Sequence, residues 1–221
     1  MNFYAEKNTT YFTNIRYDLI KLLPNNPNNK VLELGTGGGD TLIEIKRRNL
    51  AKEVVGVELM EIPNSNQTNP IIDKFIIADI EKQSLSLPEN HFDAILIGDV
   101  MEHLADPWKV VDYLSRLLKK GGVFIVSVPN IRFFTAFYKI YLKGDFGYKR
   151  DGLFDKTHLR FFCKKNIKEL FTTPYLQVQS VTAIEKVRGD ADWWKRLLNF
   201  ISFNGLEEFL ALQYIVVAKK I

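Results

Sequence analysis

Four of the five residues at positions 35–39 are glycines, and they follow the short apolar run VLEL at 31–34. Glycine adopts backbone angles that other residues avoid, and it lets a ligand come close to the main chain. A strand that ends in such a turn can bind a phosphate, a dinucleotide or an adenosyl group. The spacing of the surrounding residues distinguishes these three ligand classes.

Two of the three patterns do not fit the glycine-rich turn. A phosphate-binding P-loop needs a Gly-Lys pair followed by Ser or Thr, and the chain contains none. The dinucleotide fingerprint G-x-G-x-x-G fits Gly35 and Gly37, but Asp40 takes the place of its third glycine. A carboxylate there would repel a pyrophosphate from the positive end of the helix that follows. The spacing therefore argues against a P-loop and against a dinucleotide-binding turn.

A second group of reactive residues lies in GLFDKTHLRFFC at 152–163. His158 could take a proton from a hydroxyl group, with Asp155 orienting the imidazole, and Arg160 offers a planar fork for a phosphate or carboxylate. His103, in DVMEHLADP, is a further candidate base, although lining the cofactor site is the simpler role for it. The 152–163 residues could instead tie their segment to the sheet through buried carbonyl groups. Both interpretations stay open.

Alternating strands and helices must position these residues. Strands are predicted at 30–35, 53–58, 74–78, 92–98 and 122–128, and helices at about 39–48 and 107–119. Such alternation indicates parallel strands with right-handed crossovers, and hence a three-layer α/β domain. In an open parallel sheet, ligands bind at the carboxyl ends of the strands, which is where the glycine turn lies.

The whole chain, 1–221, is predicted to form a single domain. We divide it into an N-terminal helix within 1–29, a cofactor-binding half at 30–130, and an acceptor-side half at 131–221. The helix should cover 11–23, and the link after the second strand is too rich in Pro and Asn for a full helix. The acceptor-side half should contain a helix at 164–173, strands at 175–185 and 212–220, and inserts at 131–150 and 186–210.

The ordered motifs resemble those of the class I S-adenosylmethionine-dependent methyltransferases. E-x-G-x-G-x-G at 33–39 resembles the first motif of that family, and VVGVELM ends its strand in Glu58, where a carboxylate can accept both ribose hydroxyls. FIIADI places Asp79 where the family contacts the adenine amino group. FDAILIGDVMEHLADPW and LLKKGGVFIVSVPN resemble the motifs of the fourth and fifth strands.

The resemblance implies a Rossmann-like fold with a mostly parallel seven-stranded sheet and an antiparallel last strand. It also implies S-adenosylmethionine as the cofactor and S-adenosylhomocysteine as the product, with no metal. The implied cofactor-binding residues are Glu33, Gly35, Thr36, Gly37, Gly39, Glu58, Leu59, Asp79, Ile80 and Asp99.

The 155–162 stretch resembles an element, Asp-[Lys/Arg]-Thr-His-x-Arg-Phe-Phe, of a methyltransferase subset associated with surface glycans and other small hydroxylated substrates. It implies O-methylation of a small molecule or glycan precursor, such as a sugar nucleotide or a lipid-linked acceptor. The implied catalytic residues are His158, Asp155 and His103, and Arg160 would bind the substrate. In that subset Thr or Ser opens the next helix, whereas Cys163 does so here, which predicts a weaker N-cap.

Other classes of protein fit less well. A DNA amino-methyltransferase has an Asn/Asp-Pro-Pro-aromatic motif where this chain has GDVM at 98–101, and a cytosine C5 enzyme needs a Pro-Cys pair, whereas Cys163 follows Phe162. An NAD-dependent oxidoreductase or epimerase is the main alternative enzyme, but the third glycine and a Tyr-x-x-x-Lys pair are both missing. A non-catalytic adenosylmethionine-binding protein is the third possibility.

Composition limits the setting and the partners. Hydrophobic residues make up 46% and charged residues 25% of the chain, as in soluble globular proteins. The lysines are scattered and the net charge is only +4, which disfavours nucleic acid. A single cysteine and an N-terminus without a signal pattern predict a cytoplasmic protein. The aromatic and basic stretches at 131–150 and 192–203 are expected to pack on the core, with a lid, a membrane-surface contact or a homodimer contact as alternatives.

Overall fold

The strands lie close to their predicted positions. The computed structural model describes residues 14–185 and 206–221. Its strands are β1 (Lys30–Leu34), β2 (Glu53–Glu58), β3 (Lys74–Ile77), β4 (Phe92–Gly98), β5 (Leu118–Pro129), β6 (Leu176–Glu185) and β7 (Ala211–Lys220). Its α-helices are α1 (Tyr17–Ile20), α2 (Asp40–Arg47), α3 (Pro107–Leu117), α4 (Phe134–Phe137), α5 (Lys164–Leu170) and α6 (Glu207–Leu210), with a 3₁₀ turn at Met101–His103 and a π-helical turn at Tyr138–Leu142.

The seven strands form one sheet in the order β3-β2-β1-β4-β5-β7-β6. Strand β7 is antiparallel to both β5 and β6, and the other neighbouring pairs are parallel. This arrangement confirms the predicted α/β fold with an antiparallel last strand. The strand order reverses between β1 and β4, so a crevice opens at the carboxyl ends of these two strands.

Both faces of the sheet are covered, because the central strands are apolar on both sides. In β4, Ile95 and Leu96 point to opposite faces, and both are fully buried. Ile95 belongs to a cluster that includes side chains of α3 and α5, whereas Leu96 belongs to a cluster that includes side chains of α1 and α2. The result is three layers, helix–sheet–helix, as predicted from the alternation.

The helix predicted at 11–23 is wrong in extent. Helix α1 covers only four residues, 17–20, and residues 14–16 precede it without helical structure, while 1–13 lie outside the described residues. The backbone N–H of Arg16 donates to Thr41 Oγ1 at 3.2 Å. Because this N–H bonds to α2, the helix does not extend upstream, and the side chain of Arg16 turns toward the sheet.

Strand β5 starts four residues earlier than predicted. Leu118 already pairs with Phe92 of β4, and regular pairing resumes at Val123 opposite Ala94 after a shift in register. Gly121 lies in this irregular part with φ of +82°, a left-handed conformation that favours glycine. The glycines therefore form an irregularity inside the strand, and the predicted helix 107–119 ends at Leu117 instead.

The structure describes the first predicted insert and a small part of the second. Helix α4 and the π-helical turn lie in the first insert, 131–150. Most of the second insert, 186–210, lies outside the described residues, as does the aromatic stretch at 192–203; α6 is its described part. The link from β2 to β3 has no helix, as expected. None of the helices within the described ranges is both long and apolar enough to span a bilayer.

Candidate active site

The carboxyl ends of β1, β2, β3 and β4 border one cavity of about 1020 Å³. This volume lies at the upper end of the range for ligand sites, roughly 300–1,000 Å³. Most of the predicted cofactor-binding residues line it, namely Glu33, Gly35, Thr36, Gly37, Glu58, Leu59, Asp79, Ile80 and Asp99. Gly39 has a different position: it is the N-cap residue of α2, with φ of +91°, and a Cβ there would lie 2.7 Å from Ile72 Cδ1.

The glycine-rich turn is bound to the end of β2. Gly35 and Gly37 have φ of +70° and +55°, in the left-handed region that favours glycine. The N–H groups of Gly35 and Thr36 donate to Val57 O at 2.9 and 3.3 Å. A Cβ on Gly35 would lie 2.2 Å from Val100 Cγ2. Backbone conformation and packing both require glycine at position 35, and the turn can bring main-chain atoms close to a ligand.

Glu33 is a buried carboxyl group on the wall of the cavity. It is 3% exposed, and it accepts a hydrogen bond from the Thr36 hydroxyl. Burial raises the pKa of Glu33 to about 7, although the Thr36 hydroxyl and the positive charge of Arg16 act in the opposite direction. A cationic group of a bound ligand would favour the ionised form of this carboxyl.

Glu58 is held in place by two backbone N–H groups. Its Oε2 accepts from Gly37 N–H at 2.8 Å, and its Oε1 accepts from Leu59 N–H at 2.7 Å. Burial raises the pKa of Glu58, and these two hydrogen bonds oppose the rise. Each carboxylate oxygen has two lone pairs, so each can still accept from another donor. These two acceptor oxygens fit a ribose, because two adjacent hydroxyl groups can donate to one carboxylate.

Asp79 follows β3, and its strand end is next to that of Glu58. Ala78 N–H donates to Glu58 O at 2.9 Å, which joins the two strand ends. Asp79 Oδ1 accepts from Glu81 N–H at 3.1 Å, and Oδ2 pairs with Lys82 Nζ at 2.7 Å. The Asp79 carboxylate is thus oriented by its own turn, as a group that recognises a ligand edge must be.

Arg16 is a cavity residue that the sequence analysis missed. Its Nη1 donates to Asp99 Oδ2 at 3.0 Å, and its Nη2 donates to Asp18 Oδ2 at 2.8 Å and to Ser127 Oγ at 2.7 Å. Burial alone would lower the pKa of Arg16, but the hydrogen bond to Asp18 and the charges of Asp99 and Glu33 raise it above its ordinary value. The guanidinium therefore stays charged inside the cavity wall.

Asp99 joins three separate parts of the chain. It has φ of +55°, directly after β4, and its Oδ1 accepts from Ser127 Oγ at 2.8 Å and from Gln213 Nε2 at 3.1 Å. Arg16 reaches it from the N-terminal segment, and Gln213 from β7. The only local indication that Arg16 has a special role is its charge within the apolar helical pattern of 15–22. No local pattern indicates that Gln213 lies at the cavity.

His103 and His158 meet at the edge of this cavity. Their ring centroids are 4.8 Å apart, and His103 lines the cavity together with Leu104. Glu102, which the sequence analysis did not single out, is 2% exposed, and its Oε1 lies 4.0 Å from His158 Nε2. The structure thus brings the two predicted bases together beside a buried carboxyl group.

Asp155 is connected to His103 through Thr157. Asp155 Oδ1 accepts from the N–H and the hydroxyl of Thr157, at 2.8 and 2.7 Å. His103 Nδ1 lies 3.1 Å from both Thr157 O and Thr157 Oγ1. His158 Nδ1 lies 3.2 Å from Leu153 O. Asp155 is therefore linked to the predicted base His103, and its predicted role in orienting His158 stays a prediction.

Arg160 is bound within the chain through part of its guanidinium fork. Nε donates to Ala105 O at 3.0 Å, and Nη2 donates to the same carbonyl. The guanidinium also lies over the Trp108 ring, with Cζ 5.6 Å from the ring centroid. These contacts fit the structural interpretation of the 152–163 segment, and substrate binding by Arg160 stays a prediction.

A family of sequences described as a methyltransferase domain matches residues 7–181 of this chain. The chain belongs to this methyltransferase family. The match covers the predicted cofactor-binding residues and the two histidines at the cavity edge, and it favours the methyltransferase interpretation over the NAD-dependent alternative. Family and fold together imply S-adenosylmethionine as the cofactor, which agrees with the carboxylates that line the cavity.

Individual relatives are more distant. The chain is 27% identical over 109 residues to a ubiquinone biosynthesis O-methyltransferase of Glaesserella parasuis, an alignment that covers 46% of this chain and 45% of that protein. It is 31% identical over 107 residues to the enzyme of the same name in Cereibacter sphaeroides, covering 46% of this chain and 41% of the relative. The alignments thus span less than half the length of these curated relatives.

A solved structure extends the likeness to almost the whole fold. The S-adenosylmethionine-dependent methyltransferase of Mesorhizobium loti superposes with a TM-score of 0.62 at 17% identity, covering 92% of this chain and 96% of that one. At this level of identity the comparison concerns the fold alone. It supports a Rossmann-like arrangement that includes the acceptor-side strands as well as the glycine-rich half.

Proposed function

We propose that this protein transfers the methyl group of S-adenosylmethionine to a hydroxyl oxygen of a small molecule or glycan precursor. The observation that carries the proposal is the meeting of His103 and His158 at the edge of the cavity that contains the cofactor-binding carboxylates. Bound there, the cofactor supplies an activated methyl group on a sulfonium. The chain's own residues then have to orient the acceptor, exclude water and deal with the hydroxyl proton.

The two sides of the cavity would have different tasks: one positions the cofactor, and the other removes the proton of the acceptor. Glu58 and Asp79 would hold the ribose and the adenine, and holding two reactants in line can contribute roughly 7–11 kcal/mol to lowering the barrier. A hydroxyl acceptor also has to lose a proton, and a general base adds about 10²–10⁴-fold to the rate. His158 is 7% exposed in its side chain and adjoins the cavity-lining His103, so this pair is the proposed place of deprotonation.

The names of the relatives agree with an oxygen acceptor. Two curated relatives are O-methyltransferases of ubiquinone biosynthesis, but their alignments leave more than half of each relative unmatched. This likeness therefore supports O-methylation of a small molecule without indicating its identity. The Asp-Lys-Thr-His-x-Arg-Phe-Phe element favours a glycan precursor, either a sugar nucleotide or a lipid-linked sugar.

A lipid-linked acceptor would agree with the surface of the first insert. Tyr141 and Leu142 are 74% and 66% exposed in the π-helical turn, and Lys143 follows them in the sequence. Exposed apolar side chains next to a lysine suit the interface of an anionic membrane. Peripheral membrane contact through 131–150 is thus part of the proposal, whereas a homodimer contact stays a prediction.

The test is a methyl-transfer assay with purified protein and labelled S-adenosylmethionine. Phenols, sugar nucleotides and lipid-linked sugars would serve as acceptors, with amines as the competing class. We expect a methyl ether as the product, and His158→Ala should lower turnover by about 10²-fold or more while S-adenosylhomocysteine affinity is kept. His91→Ala is the matched control, because His91 pairs with Glu53 at the opposite end of the sheet.

Two outcomes would contradict the proposal. Methylation of an amine in preference to every hydroxyl acceptor would exclude O-methylation. Tight S-adenosylhomocysteine binding without transfer to any acceptor would instead favour the non-catalytic adenosylmethionine-binding protein. Full turnover in His158→Ala would leave O-methylation in place but remove His158 as the base.

A further inference from the structure

We propose that Glu102, His103 and His158 form a binding site for one divalent first-row metal cation, such as Zn²⁺. Each of the three side chains offers one donor atom, and these atoms lie within 4.8 Å of one another. Two histidines and one carboxylate are the protein ligands of several catalytic zinc sites. The sequence analysis predicted no metal, because Glu102 is far from His158 along the chain and only the fold brings them together.

The distances leave room for an ion between the donor atoms. His158 Nε2 lies 4.0 Å from Glu102 Oε1, which is too long for a hydrogen bond. Ligand atoms of a tetrahedral zinc ion are about 3.4 Å apart, given metal–ligand distances of about 2.0–2.2 Å. Small side-chain rotations would therefore bring the three donors to coordinating distance.

Hydrogen bonds at Nδ1 determine which ring nitrogen of each imidazole can bind a metal. A carbonyl oxygen can only accept, so His158 Nδ1 donates its proton to Leu153 O at 3.2 Å. His103 Nδ1 likewise donates toward Thr157 O at 3.1 Å. In the neutral rings, the lone pair is then on Nε2 in each case. Metal-binding histidines almost always have this arrangement, with the other ring nitrogen donating to a carbonyl or a carboxylate.

The backbone fixes the three ligands before any ion binds. Glu102 O accepts from Leu159 N–H at 2.7 Å and from Arg160 N–H at 3.0 Å, which joins the 3₁₀ turn to the segment that contains His158. Asp155 holds Thr157, and Thr157 contacts His103. A site built on such a scaffold is preorganised, so binding does not require a large rearrangement.

Burial gives the cluster an electrostatic reason to take a cation. Glu102 and His158 have side chains that are 2% and 7% exposed. A buried carboxylate is stabilised by a neighbouring positive charge, and a divalent cation shared with two neutral imidazoles supplies it. The cluster has two neutral ligands and one anionic ligand, which is the charge balance of a zinc site with positions open to water or substrate.

The position of the cluster suggests what the ion would do, and this step rests on the proposed function. His103 lines the cavity, so the open coordination positions would be within reach of an acceptor hydroxyl. A cation that binds a hydroxyl oxygen lowers its pKa, as zinc lowers the pKa of bound water to about 7. In this form of the proposed function, His103 and His158 hold the ion instead of acting as the base, and the hydroxyl proton leaves to solvent water. The oxygen keeps the electron pair with which it forms the bond to the methyl carbon, while the methyl–sulfur bond breaks and its electron pair stays on the sulfur of S-adenosylhomocysteine.

Metal binding can be measured without any methyl transfer. The purified full chain would be stripped with a chelator and titrated with Co²⁺, whose visible absorption bands report tetrahedral coordination. We expect one Co²⁺ per chain, displaced by Zn²⁺, and we expect Glu102→Gln and His158→Gln to weaken the affinity by at least about 100-fold. His91→Gln is the control: it removes the pairing of His91 with Glu53, away from this cluster, and should leave the metal affinity unchanged.

X-ray absorption on the zinc-loaded wild-type protein gives a readout that needs no variant. The expected result is two imidazole ligands and additional oxygen ligands. The site would be overturned if stoichiometric Co²⁺ gave no visible bands, or if the metal affinity depended on His91. If the chelated protein transfers methyl groups at full rate and binds no Co²⁺, the metal site fails while the proposed function stands. If the protein binds Co²⁺ but transfers methyl groups to no acceptor, the metal site stands and the proposed function fails.

Discussion

The predicted cofactor-binding half and the predicted acceptor-side half position their candidate functional residues in different ways. In the first half, Glu33, Glu58 and Asp99 lie at or next to the ends of strands, so the sheet sets their positions directly. In the second half, His158 and Arg160 lie on a turn whose backbone N–H groups donate to Glu102 O, and the Arg160 side chain donates to Ala105 O. Strand geometry places one set of residues, and contacts between distant segments place the other.

The two halves also differ in how closely their glycines are packed. Gly35 and Gly144 both have positive φ, +70° and +62°. A Cβ on Gly35 would lie 2.2 Å from Val100 Cγ2, whereas no atom of the described residues lies within 4 Å of a Cβ on Gly144. The turn of the cofactor half is closely packed, and the loop of the acceptor half has space around it.

Alanine at these two glycines should produce the largest contrast in stability. Gly144→Ala is expected to lower the free energy of unfolding by about 1–2 kcal/mol, the cost of left-handed backbone for a residue with a Cβ. Gly35→Ala adds the overlap with the stiff Val100 side chain, for a total of about 2–5 kcal/mol. Urea denaturation of both variants measures the difference.

The double variant Gly35→Ala/Val100→Ala isolates the packing part of this effect. Removing the valine methyl groups should make Gly35→Ala less costly, so the two changes should not be additive. Equal losses of stability at Gly35 and Gly144 would mean that the two halves are packed alike, and the comparison would fail.

The buried carboxyl of Glu33 should make the cofactor half sensitive to pH. Its pKa is about 7 in the folded protein, above the 4.5 of a free glutamate, because it is buried. Between these values the folded protein holds a proton that the unfolded chain has released, so the free energy of unfolding falls as the pH rises. Glu33→Gln removes this titration, and its stability relative to wild type should rise by about 3 kcal/mol from about pH 4 to about pH 8.

Chemical denaturation across this pH range gives the measurement, with the exposed Glu89→Gln as the matched control. The control should run parallel to wild type at each pH. A constant offset between Glu33→Gln and wild type would show that Glu33 has the same pKa folded and unfolded.

Local pattern was sufficient to predict the fold, and most of the residues that it indicated for cofactor binding line the cavity. Apolar runs such as β4 indicate buried parallel strands on their own, and the topology then places the following residues at one edge of the sheet. Local pattern could not predict that Arg16 and Gln213 meet at Asp99, because they come from opposite ends of the chain. The position of Glu102 beside His158 could not be predicted for the same reason, because the two residues are far apart in the sequence.

Cofactor affinity tests the role that the sequence analysis assigned to Glu58. Glu58→Ala should weaken S-adenosylhomocysteine binding by roughly 10- to 100-fold, since hydrogen bonds to a charged group contribute about 1.5–3 kcal/mol. Calorimetric titration measures it, and Glu61→Ala, an exposed carboxylate three residues away, is the control. Unchanged affinity in Glu58→Ala would remove the ribose assignment, and NAD binding in its place would revive the oxidoreductase interpretation.

The smallest expected effect concerns how the helix after the His158 turn begins. Cys163 has the extended backbone of an N-cap residue, φ −121° and ψ 172°, but it makes no capping hydrogen bond, and its thiol donates to Asn166 Oδ1 at 2.8 Å. In α3, by contrast, Asp106 accepts from Lys109 N–H at 3.1 Å. Cys163→Ser should therefore raise stability by about 0.5–1 kcal/mol, or a few degrees in Tm, and Asp106→Ala should lower it by about 1 kcal/mol. A loss of stability in Cys163→Ser would mean that the thiol contact is worth more than a cap, and that this turn of the acceptor half is better packed than its open glycines indicate.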